Sequence, residues 1–138
     1  MDIKKVDFAL LNEKIDVILD TQRAQLFPTH DFPRKKVGYA IYNEHGEILG
    51  GITASIDAQS LHINGLALDS SLRRQGYGQK LIDIVESYAK TEQVHMITLS
   101  TQDYQAVGFY QKMGYEIFAT LADYPFVGTT KHYFKKLM

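Results

Sequence analysis

Apolar positions along this chain repeat with two periods, and the change from one to the other locates its central feature. From Leu61 to Leu68 an apolar, largely alternating segment (Leu61, Ile63, Gly65, Leu66 and Leu68) predicts a strand. Beyond it Leu81, Ile82, Ile84, Val85, Tyr88 and Ala89 fall on one helical face, with Gln79, Lys80, Asp83, Glu86 and Lys90 on the other. The segment between, Arg73-Arg74-Gln75-Gly76-Tyr77-Gly78, therefore sits where a strand turns into a helix of about three turns.

Upstream, Leu11, Ile15, Ile18, Leu19 and Leu26 interleave with Glu13, Lys14, Asp16, Asp20 and Arg23, which predicts a surface-lying helix over 10–26. Pro28 and Pro33 end it, because proline and its predecessor disfavour helical backbone. Val37 to Tyr42 and Ile48 to Ile56 read as a hairpin around Asn43-Glu44-His45-Gly46. A polar turn, 57–60, leads into Leu61 to Leu68, so three consecutive antiparallel strands precede the loop. Gly50-Gly51 within the second strand reads as a strand irregularity in preference to a close backbone approach.

Downstream, Val94 to Leu99 is a short strand and Ser100-Thr101-Gln102-Asp103 a polar helix entry, with Asp103 suited to cap the helix. Ala106, Phe109, Tyr110 and Met113 share the next helical face, and Gly114 suits its left-handed end. A glycine inside a helix costs about 1 kcal/mol relative to alanine, so Gly108 implies either tight packing or a short helix. Residues 115–121 and 129–137 read as two final strands. Helix, three strands, helix, strand, helix and two strands make one α+β domain over residues 1–138.

Composition narrows the function. The 138 residues, 45% of them hydrophobic, suffice for a core without covalent staples. With no cysteine there is no disulfide scaffold, thiolate zinc site or cysteine nucleophile. A formal charge of -1 with mixed signs gives no reason to expect nucleic-acid or membrane partners. No apolar run is long enough for a membrane helix, and no signal-peptide core follows Met1-Asp2-Ile3-Lys4-Lys5, so a cytoplasmic protein is expected. His30, His45, His95 and His132 show no metal-ligand spacing, so no metal is expected.

A strand-to-helix junction is an anion cradle, because the first N–H groups of a helix lack carbonyl partners and lie at the positive end of its dipole. Gly76 and Gly78 let that backbone approach a ligand closely, and Arg73, Arg74 and Lys80 add positive charge, so the expected guest is a phosphate or diphosphate. A dinucleotide fingerprint would need a glycine at Leu81 and an acidic residue about twenty positions on at the end of a strand, and a phosphate-binding Walker loop would need Gly-Lys-Ser/Thr; neither is present.

The remaining pattern, Arg-x-x-Gly-x-Gly, resembles the signature loop Gln/Arg-x-x-Gly-x-Gly/Ala of the GNAT superfamily, the acyl-CoA-dependent N-acyltransferases. A second block, Asp103 to Tyr115, is similar to that family's Asn-x-x-Ala-x-x-Phe-Tyr-x-Lys-x-Gly-Phe. The resemblance implies a mixed, mostly antiparallel sheet flanked by helices, with the strands at Leu61–Leu68 and Val94–Leu99 splayed to admit the pantetheine arm. It implies transfer of an acetyl group from acetyl-CoA to a primary amine by direct attack in a ternary complex.

Coenzyme contacts are carried over to Arg73, Arg74, Gln75, Gly76, Tyr77, Gly78, Gln79, Asp103, Ala106, Phe109, Tyr110 and Lys112. The resemblance also places oxyanion-binding amides at Ala67 and Leu68, and at Tyr110 a phenol that protonates the departing thiolate. Asp103 departs from the pattern, since it cannot donate the amide hydrogen bond that asparagine offers; Gln102 or Gln105 could supply it instead. Many relatives carry a glutamate base on the strand before the loop, where this chain offers His62 and Asn64. His62 has a suitable ordinary pKa; Asp31, Asp123 and Tyr124 are alternatives. The acceptor is an unspecified small-molecule or peptide amine. Two other readings are a non-catalytic acyl-CoA-binding module and a transferase of longer acyl groups. The last strand, Lys131 to Leu137, is expected to be exposed and able to pair across a homodimer.

Overall fold

The computed structural model describes residues 1–138 as two compact units, Met1–Asp31 and Phe32–Met138. The first holds helix α1 (Phe8–Leu26), none of whose residues is buried. Its start is set by Asp7, whose carboxylate accepts the Leu10 N–H at 3.1 Å and satisfies one of the orphan amides of the first turn. It ends where the Phe27 N–H closes on the Arg23 carbonyl at 2.9 Å, one residue before Pro28.

The second unit is a six-stranded sheet with strands β1 (Arg34–Tyr42), β2 (Ile48–Asp57), β3 (Ser60–Leu68), β4 (Met96–Gln102), β5 (Glu116–Ala122) and β6 (Thr130–Leu137). Their spatial order is β1-β2-β3-β4-β6-β5, antiparallel except for β3 beside β4. Helix α2 (Tyr77–Thr91) connects β3 to β4, and α3 (Val107–Lys112) connects β4 to β5. Both connections join parallel strands and travel the same way across the sheet, so right-handed crossovers put both helices on one face. There Ile52, Ala54, Ile56, Leu61, Ile63, Ile97, Leu99 and Phe134 meet Leu81, Ile82, Val85 and Ala89 of α2, together with Tyr110 and Tyr115. This is the α+β order that the sequence predicts, with the mixed, mostly antiparallel sheet that the family resemblance implies.

The positioning feature is a parting of the sheet. Strands β3 and β4 pair only from Ser60↔Met96 to His62↔Thr98, although β3 runs on to Leu68 and β4 to Gln102. The cause is local: opposite Thr53 and Ala54 the register of β3 skips Asn64. An extra residue of this kind bends its strand and increases its twist. Beyond His62 the two strands diverge, as splayed strands were expected to.

Three expectations need correction, and one open alternative, at Gly108, is decided. Residues 100–102 continue β4, and Asp103 does not cap α3. The Gln105 side-chain oxygen accepts from Thr101 Oγ1 at 2.9 Å and from the Gln102 N–H at 2.8 Å, which folds 103–105 into a turn and delays the helix to Val107. Gly108 is explained by shortness, since α3 has only 6 residues and a Cβ on Gly108 would meet nothing within 4 Å. Gly50 and Gly51 mark close backbone approach instead of simple irregularity: a Cβ would lie 2.6 Å from the Ala67 carbonyl oxygen and 2.5 Å from that of Tyr39, respectively. Finally, β6 is not an edge but lies between β4 and β5, so its backbone is already paired on both sides; the edges are β1 and β5.

Candidate functional site

The loop before α2 is built from its own hydrogen bonds. Asp69 starts a single 3-10 turn, Ser70–Leu72, by accepting from the Ser71 N–H and hydroxyl at 3.0 and 2.6 Å. The Gln75 amide donates to the Ser71 carbonyl at 2.7 Å, so this side chain braces the loop. Arg74 and Gly76 hold φ of 62° and 79°, and the left-handed turn at Gly76 aims the chain into α2. The first intrahelical bond runs from the Lys80 N–H to the Gly76 carbonyl at 3.1 Å. The amides of Tyr77, Gly78 and Gln79 therefore open outward from the helix end. No side chain caps that end. Arg73 and Arg74 stay exposed beside it, and Lys80 Nζ sits 4.9 Å from the Tyr77 ring centroid.

Three elements converge at Gly78. A Cβ there would lie 3.2 Å from Phe109 Cζ and 3.9 Å from Leu68 Cδ1, so the start of α2, the face of α3 and the end of β3 touch through a missing side chain. The Asp69 N–H bonds the Leu49 carbonyl at 2.7 Å, pointing toward β2. Amides alternate in direction along a strand, so Leu68 presents its N–H to the parted side while Ala67 turns its own to β2. Of the two expected oxyanion donors, Leu68 thus faces the gap.

Tyr110 is 7% exposed, with its ring centroid 5.1 Å from Phe109, 6.2 Å from Tyr115 and 5.7 Å from Phe134. No protein group bonds its hydroxyl, and burial raises its pKa above the ordinary phenol value. It keeps its proton at neutral pH. Ala106 stands exposed just before α3, and Lys112 is exposed in its last turn.

The opposite face of the sheet is polar. His62 sits at the point where β3 and β4 part, its Nδ1 2.8 Å from Thr98 Oγ1. Asn64, the bulged residue, instead accepts from Ser55 Oγ at 2.7 Å. Partial burial, and secondarily the charge of Lys131, lower the His62 pKa below its ordinary 6.5. At pH 7 the ring is neutral. Of the alternative bases, Asp123 is engaged by the Gly128 N–H at 3.0 Å, Tyr124 lies beside Lys131, and Asp31 belongs to the N-terminal unit.

Asp103 makes a very short contact with His132 Nε2, and this hydrogen bond is the main cause that holds its carboxyl below the usual range. His132 Nδ1 is buried without a partner. Of the alternative amides, Gln105 is engaged through its oxygen as described, and Gln102 is buried, its oxygen accepting from Thr129 Oγ1 at 3.1 Å. Sequence reasoning missed Lys131 and His132 as site neighbours. Alternation in β6 does separate Lys131 and Tyr133 from His132 and Phe134. Nothing in the sequence says that β6 inserts beside β4.

The sheet thus parts beside a helix start whose amides are open and a buried tyrosine, a cleft lined by backbone donors at one end. The profile of the Acetyltransferase (GNAT) family matches residues 10–115, and the chain belongs to that family, whose members are acyltransferases that use acetyl-CoA. It is 39% identical over 97 residues to blasticidin-S acetyltransferase of Streptomyces morookaense, a match covering 68% of this chain and 71% of that protein. It is similar to a crystal structure of an acetyltransferase from Bacillus cereus ATCC 14579, with a TM-score of 0.89, 29% identity, and 100% and 98% of the two chains covered. An acetyltransferase from Bacillus anthracis str. Ames, in complex with acetyl coenzyme A, shares the fold at a TM-score of 0.65 and 22% identity, with 75% and 62% covered.

Proposed function

We propose that this acyltransferase moves the acetyl group of acetyl-CoA to a primary amine by direct attack in a ternary complex. The observation that carries the reading is the parting of β3 and β4 just beyond His62, beside the convergence of Gly78, Phe109 and Leu68. The residues fit the coenzyme: outward amides at Tyr77, Gly78 and Gln79 and the cations Arg73 and Arg74 suit its diphosphate. Acetyl-CoA supplies an activated thioester, and this chain supplies the rest.

The Leu68 N–H binds the negative charge that develops on the carbonyl oxygen. His62, donating its Nδ1–H to Thr98, uses the Nε2 lone pair to take the proton from the attacking amine as the new C–N bond forms. Tyr110 gives its phenolic proton to the sulfur as the C–S bond breaks, and both groups are reset by proton exchange with water. The lowered His62 pKa keeps the base neutral, and the raised Tyr110 pKa keeps the acid protonated. The core face is filled by helices and loop, so the amine approaches from the polar face. Likeness to a transferase named for blasticidin S supports a small-molecule amine as acceptor.

The test is release of coenzyme thiol from acetyl-CoA across a panel of small amines. Amine-dependent release that falls about 100-fold in Tyr110→Phe, with calorimetric coenzyme affinity retained, is the expected result. Bound acetyl-CoA with no amine-dependent release would overturn the reading. Propionyl-CoA and butyryl-CoA in the same assay set the length of the acyl group.

A further inference from the structure

The polar face carries a cation without a counter-charge. Lys131 Nζ is held between two rings, 5.3 Å from the Tyr124 centroid and 5.5 Å from that of Tyr133. Cation–π contacts fix a lysine in place but do not neutralise it. On the same face Lys135 pairs with Glu116 at 3.7 Å, while Lys131 makes no ion pair. Register decides which way it faces: Tyr133 stands opposite Ser100 and Lys135 opposite Thr98, whose hydroxyl bonds His62. Lys131, two residues before Tyr133, therefore shares the face of His62, opposite to buried Phe134. The carboxylate of the β5–β6 loop, Asp123, accepts from the Gly128 N–H at 3.0 Å.

We infer that Lys131 binds an anionic group on the acceptor, so that the substrate class is a small amine that also carries a carboxylate or phosphate. This rests on the transferase reading, because it assigns His62 and Lys131 to the two ends of one molecule. A fixed, half-buried cation with no partner produces a local positive potential that attracts an anion and repels a second cation. It acts on His62, whose pKa it helps to lower. An acceptor of this class arrives with its anion drawn to Lys131 and its amine near the imidazole, whereas a polyamine meets repulsion at the same place.

The experiment compares matched amines: 4-aminobutyrate against 4-aminobutyramide, and 2-aminoethyl phosphate against ethanolamine. With acetyl-CoA, the acid of at least one pair is expected to exceed its neutral partner about tenfold in kcat/KM. Lys131→Gln removes that preference, and Lys131→Arg keeps it. The carboxylate and phosphate pairs show which anion fits. Equilibrium binding of the same compounds, followed by the His62 imidazole proton signals with coenzyme A present, gives a readout that needs no turnover. An acid preference in binding that vanishes in Lys131→Gln supports the inference even if no acetyl transfer occurs, in which case the transferase reading alone falls. Turnover or binding with no acid preference, or a preference untouched by Lys131→Gln, overturns the inference and leaves the transferase reading standing.

Discussion

The two faces of the central sheet are made from alternate residues of the same strands, yet they do opposite work. On one, Leu61, Ile97 and Phe134 are fully buried beneath α2 and α3. On the other, the intervening His62, Thr98 and Tyr133 remain open to small molecules. A strand built this way anchors itself with every second side chain and leaves the rest available to solvent and ligands. Changes on the helix-covered face should therefore show up in stability, and changes on the open face in turnover.

The largest effect is expected where the backbone itself is crowded. Gly51→Val places a Cβ 2.5 Å from the Tyr39 carbonyl oxygen, which the hairpin cannot yield without losing β1 pairing. A loss of about 3 kcal/mol or more in urea unfolding is expected; a loss below about 1 kcal/mol would show that the hairpin flexes. Next comes Tyr110→Phe, the exception to that division, a covered-face residue whose hydroxyl is expected to act in turnover. It leaves the ring packing of Phe109, Tyr115 and Phe134 intact and should cost about 100-fold in kcat, near 2.7 kcal/mol of barrier, with little change in melting temperature.

On the helix-covered side, Lys136 ties three elements together. Its Nζ bonds both oxygens of Glu86 at 2.7 and 3.0 Å and the Met113 carbonyl at 2.9 Å, joining α2, the end of α3 and β6. Lys136→Met strands the Glu86 carboxylate, which is 13% exposed, against Tyr115, whose pKa burial and Glu86 already raise. A loss of about 2 kcal/mol in chemical unfolding is expected. Coenzyme affinity measured by calorimetry should hold, since the pair lies away from the loop residues.

The covered face was the legible one. Helical periodicity in 81–89 and alternation in 61–68 identify Leu81, Ile82, Val85, Leu61 and Ile63 as core, and all five are buried. Ile84 departs, at 43% exposure, because it edges an open groove with Tyr39 and Tyr88 instead of meeting the sheet. The loop was also legible, since a strand-to-helix change of period at two glycines is a local signal. What the sequence hides is nonlocal. The insertion of β6 between β4 and β5 brings Lys131 and His132 to the site, and no spacing within 130–137 announces it. The turn-forming role of Gln105 was hidden too, because a glutamine that folds back on its own strand has the same pattern as one that begins a helix.

His62 tests the open face through pH. Its folded pKa lies below the 6.5 of the free side chain, so the unfolded chain takes up a proton near pH 6.5 that the folded one refuses. Stability from this group is complete above that range and falls as pH drops through it. The activity limb moves in the same window: kcat/KM should decline on the acid side below pH 6.5. Lys131→Gln removes one of the two causes and should move the limb upward toward 6.5. A limb unmoved by this change, or absent in wild type and unaltered in His62→Asn, would remove the imidazole from the chemistry.

The smallest effect is expected at Asp103, where the two faces meet in the turn after β4. Its carboxylate is exposed yet is held ionised chiefly by His132, so its contribution to stability is present above the ordinary pKa of 3.8 and lost as pH falls through the lowered folded value. Asp103→Asn keeps a hydrogen-bond acceptor for His132 but removes the charge. At pH 7 the melting temperature should change by no more than a degree or two, while the acid-side dependence flattens. Coenzyme affinity should stay within about twofold, because the field of an exposed carboxylate is screened by water and salt. A gain of tenfold in coenzyme affinity would instead mean that the charge reaches the phosphates, and that the Asp103–His132 pair holds the carboxylate against the ligand instead of shielding it.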